Sequence, residues 1–189
     1  GFGYLERYPD DYALSGLLGV SLMRHGLTNR GMELVKVGIL ADKPEREVAL
    51  YMAMNAQSRG DIYETRRYLE LELKHWPGNN IAARMLVALL VPKREWQAQA
   101  AVAEAALAAD DSDLLLWHAQ AQALFNLGLY DESREVLGEA LKRDQNLSIL
   151  LLLDANLLAK EGKMEAAQVR FEEAKSRKAE EDAFAMPRQ

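Results

Sequence analysis

Residues 117–140, WHAQAQALFNLGLYDESREVLGEA, contain two helical patterns on either side of a short break at Gly128. Small and apolar side chains recur every three or four residues, which is the spacing of one helix face. Because the break is so short, the two helices must lie antiparallel as a hairpin. Asp131 is predicted to cap the second helix, since its carboxylate can accept hydrogen bonds from free backbone N–H groups. The two patterns consist of Trp117, Ala121 and Leu124, then Ser133, Leu137 and Ala140.

The hairpin recurs along the chain at a step of 34 residues. The turn residue Gly128 returns as Gly26, Gly60 and Gly162, and Arg94 takes its place in the remaining copy. Several slots keep this step without an insertion, so the chain is predicted to be a stack of hairpins. The slot of Leu137, for example, holds Val35, Leu69, Ala103 and Phe171, and that of Ala121 holds Gly19, Ala53, Val87 and Ala155.

This pattern resembles the tetratricopeptide repeat (TPR) family, whose signature is W-x2-L-G-x2-Y followed by Ala, Phe and Pro within 34 residues. Only one repeat has the Trp, and the closing Pro is present as Pro77. The resemblance implies an all-α, right-handed superhelical solenoid of five helix-turn-helix repeats, with helix over more than about three quarters of the chain and no strand. The repeats are 12–45, 46–79, 80–113, 114–147 and 148–181, with turns at Gly26, Gly60, Lys93-Arg94, Gly128 and Gly162.

The two ends fall outside the five repeats. Residues 1–11 are interpreted as the end of a preceding repeat, because Tyr4-Leu5 and Pro9 fit its slots, or else as a short N-terminal cap. We therefore expect the chain to be cut from a longer protein. Residues 178–189 lose the period and are expected to fray, with 182–189 as a C-terminal tail, unless Phe184 and Met186 find a surface to pack on.

Glycine is frequent inside the two predicted helices of the first repeat. An interior glycine destabilises a helix by about 0.5–1 kcal/mol relative to alanine. The first repeat is therefore predicted to be the least stable of the five. The glycines concerned are Gly16, Gly19, Gly31 and Gly38.

Composition excludes several classes of function. The net charge is −6, which gives no support to binding nucleic acid or anionic membranes. The chain has no cysteine, so disulfides and thiolate chemistry are excluded. No apolar run approaches the roughly 18 residues of a spanning helix, so direct membrane insertion is not expected. We expect a soluble protein of the bacterial cytoplasm or periplasm.

No motif of a catalytic or metal-binding site occurs in the sequence. There is no Gly-rich phosphate loop, no HExxH, no Cys/His spacing and no Gly-x-Ser-x-Gly. His25, His75 and His118 fall at different slots of different repeats. The protein is therefore predicted to be non-enzymatic and to need no cofactor or metal.

One face of the stacked first helices is the candidate binding surface. The slots of Trp117, Ala121 and Leu124 are predicted to pack on the partner helix, so residues one step further point about 100° away. In the TPR family this surface forms the concave side of the superhelix. The resemblance implies a groove for a protein or peptide partner, and the candidates are Tyr51, Met54, Arg84, Met85, His118, Gln122, Phe125, Asn126 and Asn156.

Some apolar residues of this face are alternatively part of the core between repeats. That assignment is preferred for Val20, Ala88 and Leu115. Tyr51 and Phe125 are the preferred anchors for a partner, because aromatic residues often dominate the energy of an interface. Arg84 and Lys160 are expected to favour a partner segment that carries carboxylates.

The last repeat begins with a helix that is apolar nearly all round, which is typical of a helix covered on every side. Its exposed side is predicted to be covered by residues 178–189, by a second copy of the chain or by further sequence. The apolar residues are Ile149, Leu150, Leu151, Leu152, Leu153, Leu157 and Leu158.

The sequence thus predicts a non-enzymatic scaffold that binds a peptide or protein segment. Its alanine-rich style is similar to bacterial TPR proteins of cell-envelope and exopolysaccharide assembly. Two alternatives stay open: a self-assembly module that forms a homo-oligomer through its end faces, and the regulatory or targeting arm of a larger enzyme.

Overall fold

The computed structural model describes residues 2–185 and the side chains of residues 3–182. Helices make up 78% of the structure, and no strand occurs among residues 2–185. The predicted all-α fold class is confirmed. The helices are α1 (Phe2–Leu5), α2 (Tyr12–Arg24), α3 (Thr28–Gly38), α4 (Val48–Ser58), α5 (Ile62–His75), α6 (Asn80–Leu90), α7 (Trp96–Ala109), α8 (Leu114–Leu127), α9 (Tyr130–Arg143), α10 (Ser148–Lys160) and α11 (Met164–Ala185), with a 3-10 turn at Val91–Lys93.

The turns inside the hairpins fall where the sequence predicted them. In each turn one residue has a left-handed backbone conformation, and these residues follow one another at the predicted step of 34. Glycine adopts this conformation without steric strain, which explains its recurrence. Their φ angles are 78° at Gly26, 73° at Gly60, 55° at Arg94, 81° at Gly128 and 77° at Gly162.

The chain divides into two compact units, residues 1–89 and 90–189. In the first unit, α2 packs on α3, α4 packs on α5, and α4 also contacts α2 and α3. In the second unit, α8 packs on α7 and α9, while α10 packs on α11 and contacts α8 and α9. Within each unit a helix therefore packs mainly against its neighbours in the sequence, as expected for a stack of hairpins.

The helical glycines of α2 and α3 allow these helices to approach closely. A Cβ atom at Gly19 would lie 2.7 Å from the Val35 nitrogen, and one at Gly38 would lie 2.5 Å from the Gly16 Cα. A Cβ at Gly31 would lie 2.9 Å from the Met23 nitrogen. Interpreting these glycines only as sources of instability was therefore wrong, because no larger residue fits at this contact.

The core of the second unit joins the hairpin of α8 and α9 to α10. Leu137 of α9 and Leu150 and Leu153 of α10 are fully buried in one cluster. Trp117 packs on this cluster and donates a hydrogen bond of 2.9 Å from its Nε1 to the Asp111 carbonyl. The Trp117 slot thus faces the core, as predicted.

Asp131 does not cap α9. The helix begins at Tyr130, so its cap position is Leu129, which makes no side-chain capping hydrogen bond. Asp131 instead lies in the first helical turn, where its negative charge interacts favourably with the helix dipole. The prediction was wrong because the helix starts before the aspartate.

The C-terminal helix is longer than the sequence predicted. α11 continues to Ala185, so the expected fraying from residue 178 does not occur among residues 178–185. The Glu181 carboxylate accepts hydrogen bonds from the Ser148 backbone nitrogen (2.8 Å) and hydroxyl (2.6 Å), which holds α11 against the start of α10. The expected packing of Phe184 and Met186 lies outside the described side chains.

Most of the apolar residues of α10 are buried in the second unit. Leu150, Leu151, Leu153 and Leu157 belong to the core, whereas Leu152 is 42% exposed. The described side chains of residues 178–182 therefore leave part of the α10 surface open.

Candidate functional site

Tyr51 and Met54, two of the predicted binding residues, line one pocket in the first unit. Both lie on α4, which contacts α2 and α3. Three methionines and a tyrosine give the pocket its apolar surface, and two asparagines supply amide groups. The remaining lining residues are Met23 from α2, Thr28, Asn29 and Met32 from α3, and Asn55 from α4.

The two predicted residues meet the pocket differently. Met54 is exposed, while Tyr51 is half-buried and packs against the core of Val20, Val35 and Val48. Burial raises the pKa of the Tyr51 phenol, so its hydroxyl stays neutral and can both donate and accept a hydrogen bond. The pocket therefore offers polarizable apolar surface with a polar edge.

An ion pair stands beside Tyr51. The Arg24 guanidinium donates two hydrogen bonds to the Glu47 carboxylate, from Nε to Oε2 (3.1 Å) and from Nη2 to Oε1 (2.6 Å). The hydrogen bond to Glu47 raises the pKa of Arg24. Because Glu47 matches the charge of Arg24, this side of the pocket carries no net charge.

A buried carboxylate holds Glu47 in place. Glu72 of α5 accepts hydrogen bonds from the backbone nitrogens of Glu47 (2.7 Å) and Leu50 (3.4 Å), and from the Asn79 side chain (2.8 Å). It thus caps α4, whose preceding residue Glu47 has a left-handed backbone (φ 71°). Burial raises the pKa of Glu72, although these hydrogen bonds act in the opposite direction.

Glu72 is a residue that the sequence reasoning missed. It is almost fully buried, yet it occupies a repeat slot in which every other copy has a small residue. That contrast was the available signal, because a buried charge needs dedicated partners. The other copies have Gly38, Ala106, Ala140 and Ala174.

The two predicted residues of α6 do not line this pocket. Arg84 is exposed on α6 and Met85 is half-buried. The first unit therefore brings together Tyr51 and Met54, and places Arg84 and Met85 on a separate helix.

The other predicted residues lie in the second unit. His118, Gln122, Phe125 and Asn126 are on α8, and Asn156 is on α10. Both asparagines are exposed, and the other three side chains are half-buried. Helices α8 and α10 contact each other, so the predicted residues occupy neighbouring helices.

Phe125 is partly a core residue. It packs against the apolar cluster of the second unit, and its ring centroid lies 5.4 Å from that of Tyr130. The Lys160 ammonium lies 5.9 Å from the Tyr130 ring on its own side. Truncation of Phe125 would therefore affect folding as well as any partner.

His118 has an altered acidity. Burial lowers the pKa of its imidazole, which favours the neutral form. A neutral imidazole has one nitrogen that donates and one that accepts a hydrogen bond.

The residues assigned to the core divide. Val20 is buried, as expected, but Ala88 and Leu115 are exposed. The core assignment of these two residues was wrong. At the start of α8 the buried side belongs to Leu116, one residue further round the helix.

A second buried carboxylate was also missed. Asp154 on α10 accepts hydrogen bonds from Arg170 Nε (2.8 Å) and Arg134 Nη1 (3.4 Å), and Arg134 also pairs with Glu161. These contacts link α9, α10 and α11, so Asp154 has a structural role.

Neither a metal site nor a membrane helix is found in the described part of the chain. Residues 2–185 contain no group of three or more histidine, aspartate or glutamate residues placed to hold a metal ion. Nor does any helix among them combine the length and the apolar character that crossing a membrane requires.

Solved structures show which fold this is. The chain superposes on MamA AMB-1 with a TM-score of 0.67 at 22% identity, covering 93% of this chain and 97% of MamA. MamA from Desulfovibrio magneticus RS-1, from residue 41 to its end, gives 0.66 at 17% identity over 91% and 98%. YrrB, described as a TPR protein with an unusual peptide-binding site, gives 0.74 at 14% identity over 93% and 91%.

The chain has the fold of a TPR protein. The resemblance found in the sequence is thereby confirmed at the level of the fold. The sequence matches no protein-family model. A search of curated proteins finds no match either.

Proposed function

We propose that this TPR-type protein is a non-enzymatic scaffold that binds a peptide or protein segment on the face bearing the predicted residues. The observation that carries the proposal is the pocket of the first unit, where Tyr51 and Met54 meet Met23 and Met32. Concave, largely apolar sites with a few polar groups are the usual form of a binding site. The peptide-binding site of YrrB, a protein of the same fold, supports this proposal.

The pocket suits one apolar side chain of an extended segment. Methionine side chains are flexible and polarizable, so they adapt to aliphatic or aromatic groups of different shape. The amides of Asn29 and Asn55 each offer donors and an acceptor for the backbone of the segment. The partner would thus place a side chain among the methionines and its peptide groups at the rim.

The second unit is proposed to bind a further part of the partner through α8 and α10. His118, Gln122, Asn126 and Asn156 offer hydrogen-bonding groups beside the half-buried ring of Phe125. Arg84, Met85 and Lys160 are included in the proposal, with Arg84 and Lys160 favouring carboxylates on the partner. Such a charge effect weakens as the salt concentration rises.

The test starts from peptides selected on the full chain from a random peptide library. Each selected peptide is titrated by fluorescence anisotropy against wild type, Tyr51→Ala and Met54→Lys. Both variants should weaken binding by about 30-fold, the effect of losing a central interface residue. Met54 is exposed, so Met54→Lys fills the pocket without disturbing the core.

The matched control is Arg67→Glu on α5, an exposed residue outside the pocket. It should leave the affinity unchanged, and circular dichroism should show intact helices for every variant. If Met54→Lys binds as wild type while Arg67→Glu abolishes binding, the proposed face is wrong.

The alternatives from the sequence stay predictions. Light scattering of the full chain tests self-assembly, and the identity of a natural partner tests a role in cell-envelope or exopolysaccharide assembly. An enzyme regulated by this protein would be found the same way.

A further inference from the structure

One repeat slot changes from buried to exposed at the last helix. The second helix of each hairpin carries this residue as Val35, Leu69, Ala103, Leu137 and Phe171. The first four are fully buried, whereas Phe171 on α11 is 46% exposed. The same position is therefore apolar throughout but uncovered in α11.

The residue is covered in the same way at two places. In the first unit Val35 of α3 is clustered with Val48 of α4, and in the second unit Leu137 of α9 is clustered with Leu150 of α10. Val48 and Leu150 lie three steps of 34 residues apart, as do Val35 and Leu137. In both cases the first helix of the next hairpin covers this position.

The uncovered position is part of a groove between α10 and α11. Its floor is formed by the apolar side chains of Ile149, Leu152, Phe171 and Ala174. Exposed apolar surface of this kind often marks a site of protein interaction. The groove continues the type of interface that α9 and α10 already form.

Two lysines stand at the margin of the groove. Lys175 and Lys178 line it, and both ammonium groups are exposed. Lys175 lies 4.0 Å from Glu172, and Lys178 lies 3.0 Å from Asp182 on the same helix. Exposed pairs of this kind contribute little, so a partner's carboxylates can replace them.

We propose that the groove between α10 and α11 binds an amphipathic α-helix of a partner protein. The helix lies on α11 as α10 lies on α9, with apolar side chains against Phe171 and carboxylates towards Lys175 and Lys178. Recognition of an apolar helix face by a hydrophobic groove is a recurring mode of protein binding. This surface is distinct from the pocket at Tyr51 and Met54.

The 34-residue register disfavours a second copy of this chain as the occupant. The helix equivalent to α10 that a copy would offer first is α2. Residues 2–5 of α1 precede α2 and stand five steps before residues 172–175, a position that α11 itself fills. A copy entering by α2 in this register would therefore bring α1 into conflict with α11.

Two synthetic helices test the proposal. Each has about 18 residues, long enough to form a helix with stabilising side-chain pairs, and the same leucine stripe at i, i+3 and i+7. One carries glutamates and the other lysines beside the stripe. Fluorescence anisotropy with the full chain at low salt should show the glutamate helix binding at least about tenfold more tightly.

Variants assign the binding to the groove. Phe171→Glu should weaken binding of the glutamate helix by about 30-fold. Val169→Glu is the control, because Val169 is exposed on the same helix but does not line the groove. The double change Lys175→Glu/Lys178→Glu should reverse the preference in favour of the lysine helix, while Met54→Lys should leave binding unchanged.

Three results would overturn the proposal. The first is equal affinity for the two helices, and the second is equal effects of Phe171→Glu and Val169→Glu in proteins with wild-type helicity. The third is light scattering that shows a wild-type dimer and a Phe171→Glu monomer, which would make a second copy the occupant. Failure of the pocket variants in the peptide titration would not affect this result.

Discussion

At the scale of single residues, the environment decides whether a glycine weakens a helix. Gly138 in α9 has nothing within 4 Å of an added Cβ, whereas Gly38 in α3 touches the backbone of Gly16. Propensity alone treats the two residues alike. The sequence could not separate them, because the neighbour that makes the difference lies on another helix.

The two glycines should therefore respond oppositely to alanine. Gly38→Ala should lower the free energy of unfolding by about 1–3 kcal/mol, because the methyl group forces α2 and α3 apart. Gly138→Ala is the control and should raise it by up to about 1 kcal/mol, as expected for an open helical site. Urea unfolding monitored by circular dichroism measures both. A stabilising Gly38→Ala would show that the close contact of α2 and α3 is not tight.

Glu72 predicts a pH dependence with a definite sign. Burial raises its pKa above the usual 4.5, so the folded protein keeps this proton where the unfolded chain has lost it. The free energy of unfolding contributed by Glu72 is thus present at low pH and is lost as pH rises through the folded-state pKa. Glu72→Gln lacks this titration. The stability of wild type minus that of Glu72→Gln should fall as pH rises from about 4.5.

Urea unfolding of both proteins at a series of pH values measures this difference. Subtracting the variant removes the titration of all other groups that both proteins share. A difference that stays flat or increases with pH would mean that the hydrogen bonds from Glu47, Leu50 and Asn79 outweigh the burial of the carboxylate.

At the scale of elements, the turns were predictable because their conformation demands a particular residue. A left-handed turn residue favours glycine, and four of the five turns have it. The end of α11 was not predictable in this way. Its continuation depends on the contact of Glu181 with Ser148, 33 residues away, which no local pattern indicates.

Arg94 is the turn residue that departs from this rule. Its φ of 55° is strained for a residue with a Cβ, and glycine would remove that strain. Arg94→Gly should therefore raise the free energy of unfolding by about 0.5–1 kcal/mol, after the larger flexibility of glycine in the unfolded chain is deducted. Thermal or urea unfolding measures the change. Arg94→Ala keeps the strain and should give no gain, and an equal gain would contradict this explanation.

At the scale of the whole molecule, periodicity predicted part of the pocket. The 34-residue step placed Tyr51, Met54 and Met23 on one face of successive first helices, and all three line it. Asn29 and Met32 were not predicted, because they belong to a second helix. The period orders the helices, but the residues that two helices share at a contact depend on their packing.

The division into two compact units predicts that damage stays local. Repeat stacks are stabilised mainly by contacts between neighbouring elements, so parts of one chain can open separately. Gly38→Ala removes close packing within α2 and α3, and Leu137→Ala leaves a cavity in the cluster of α9 and α10. The two changes are comparable in size but lie in different units.

Hydrogen exchange of the folded protein can compare them directly. Gly38→Ala should speed amide exchange in α2, α3 and α4 and leave α9 and α10 near wild type, because the lost contacts lie in the first unit. Leu137→Ala should do the reverse, with a loss of about 2–5 kcal/mol for the cavity. Each variant is thus the control for the other. Equal loss of protection in both units for either variant would mean that the chain opens as one cooperative body, and the local packing would then not set its stability.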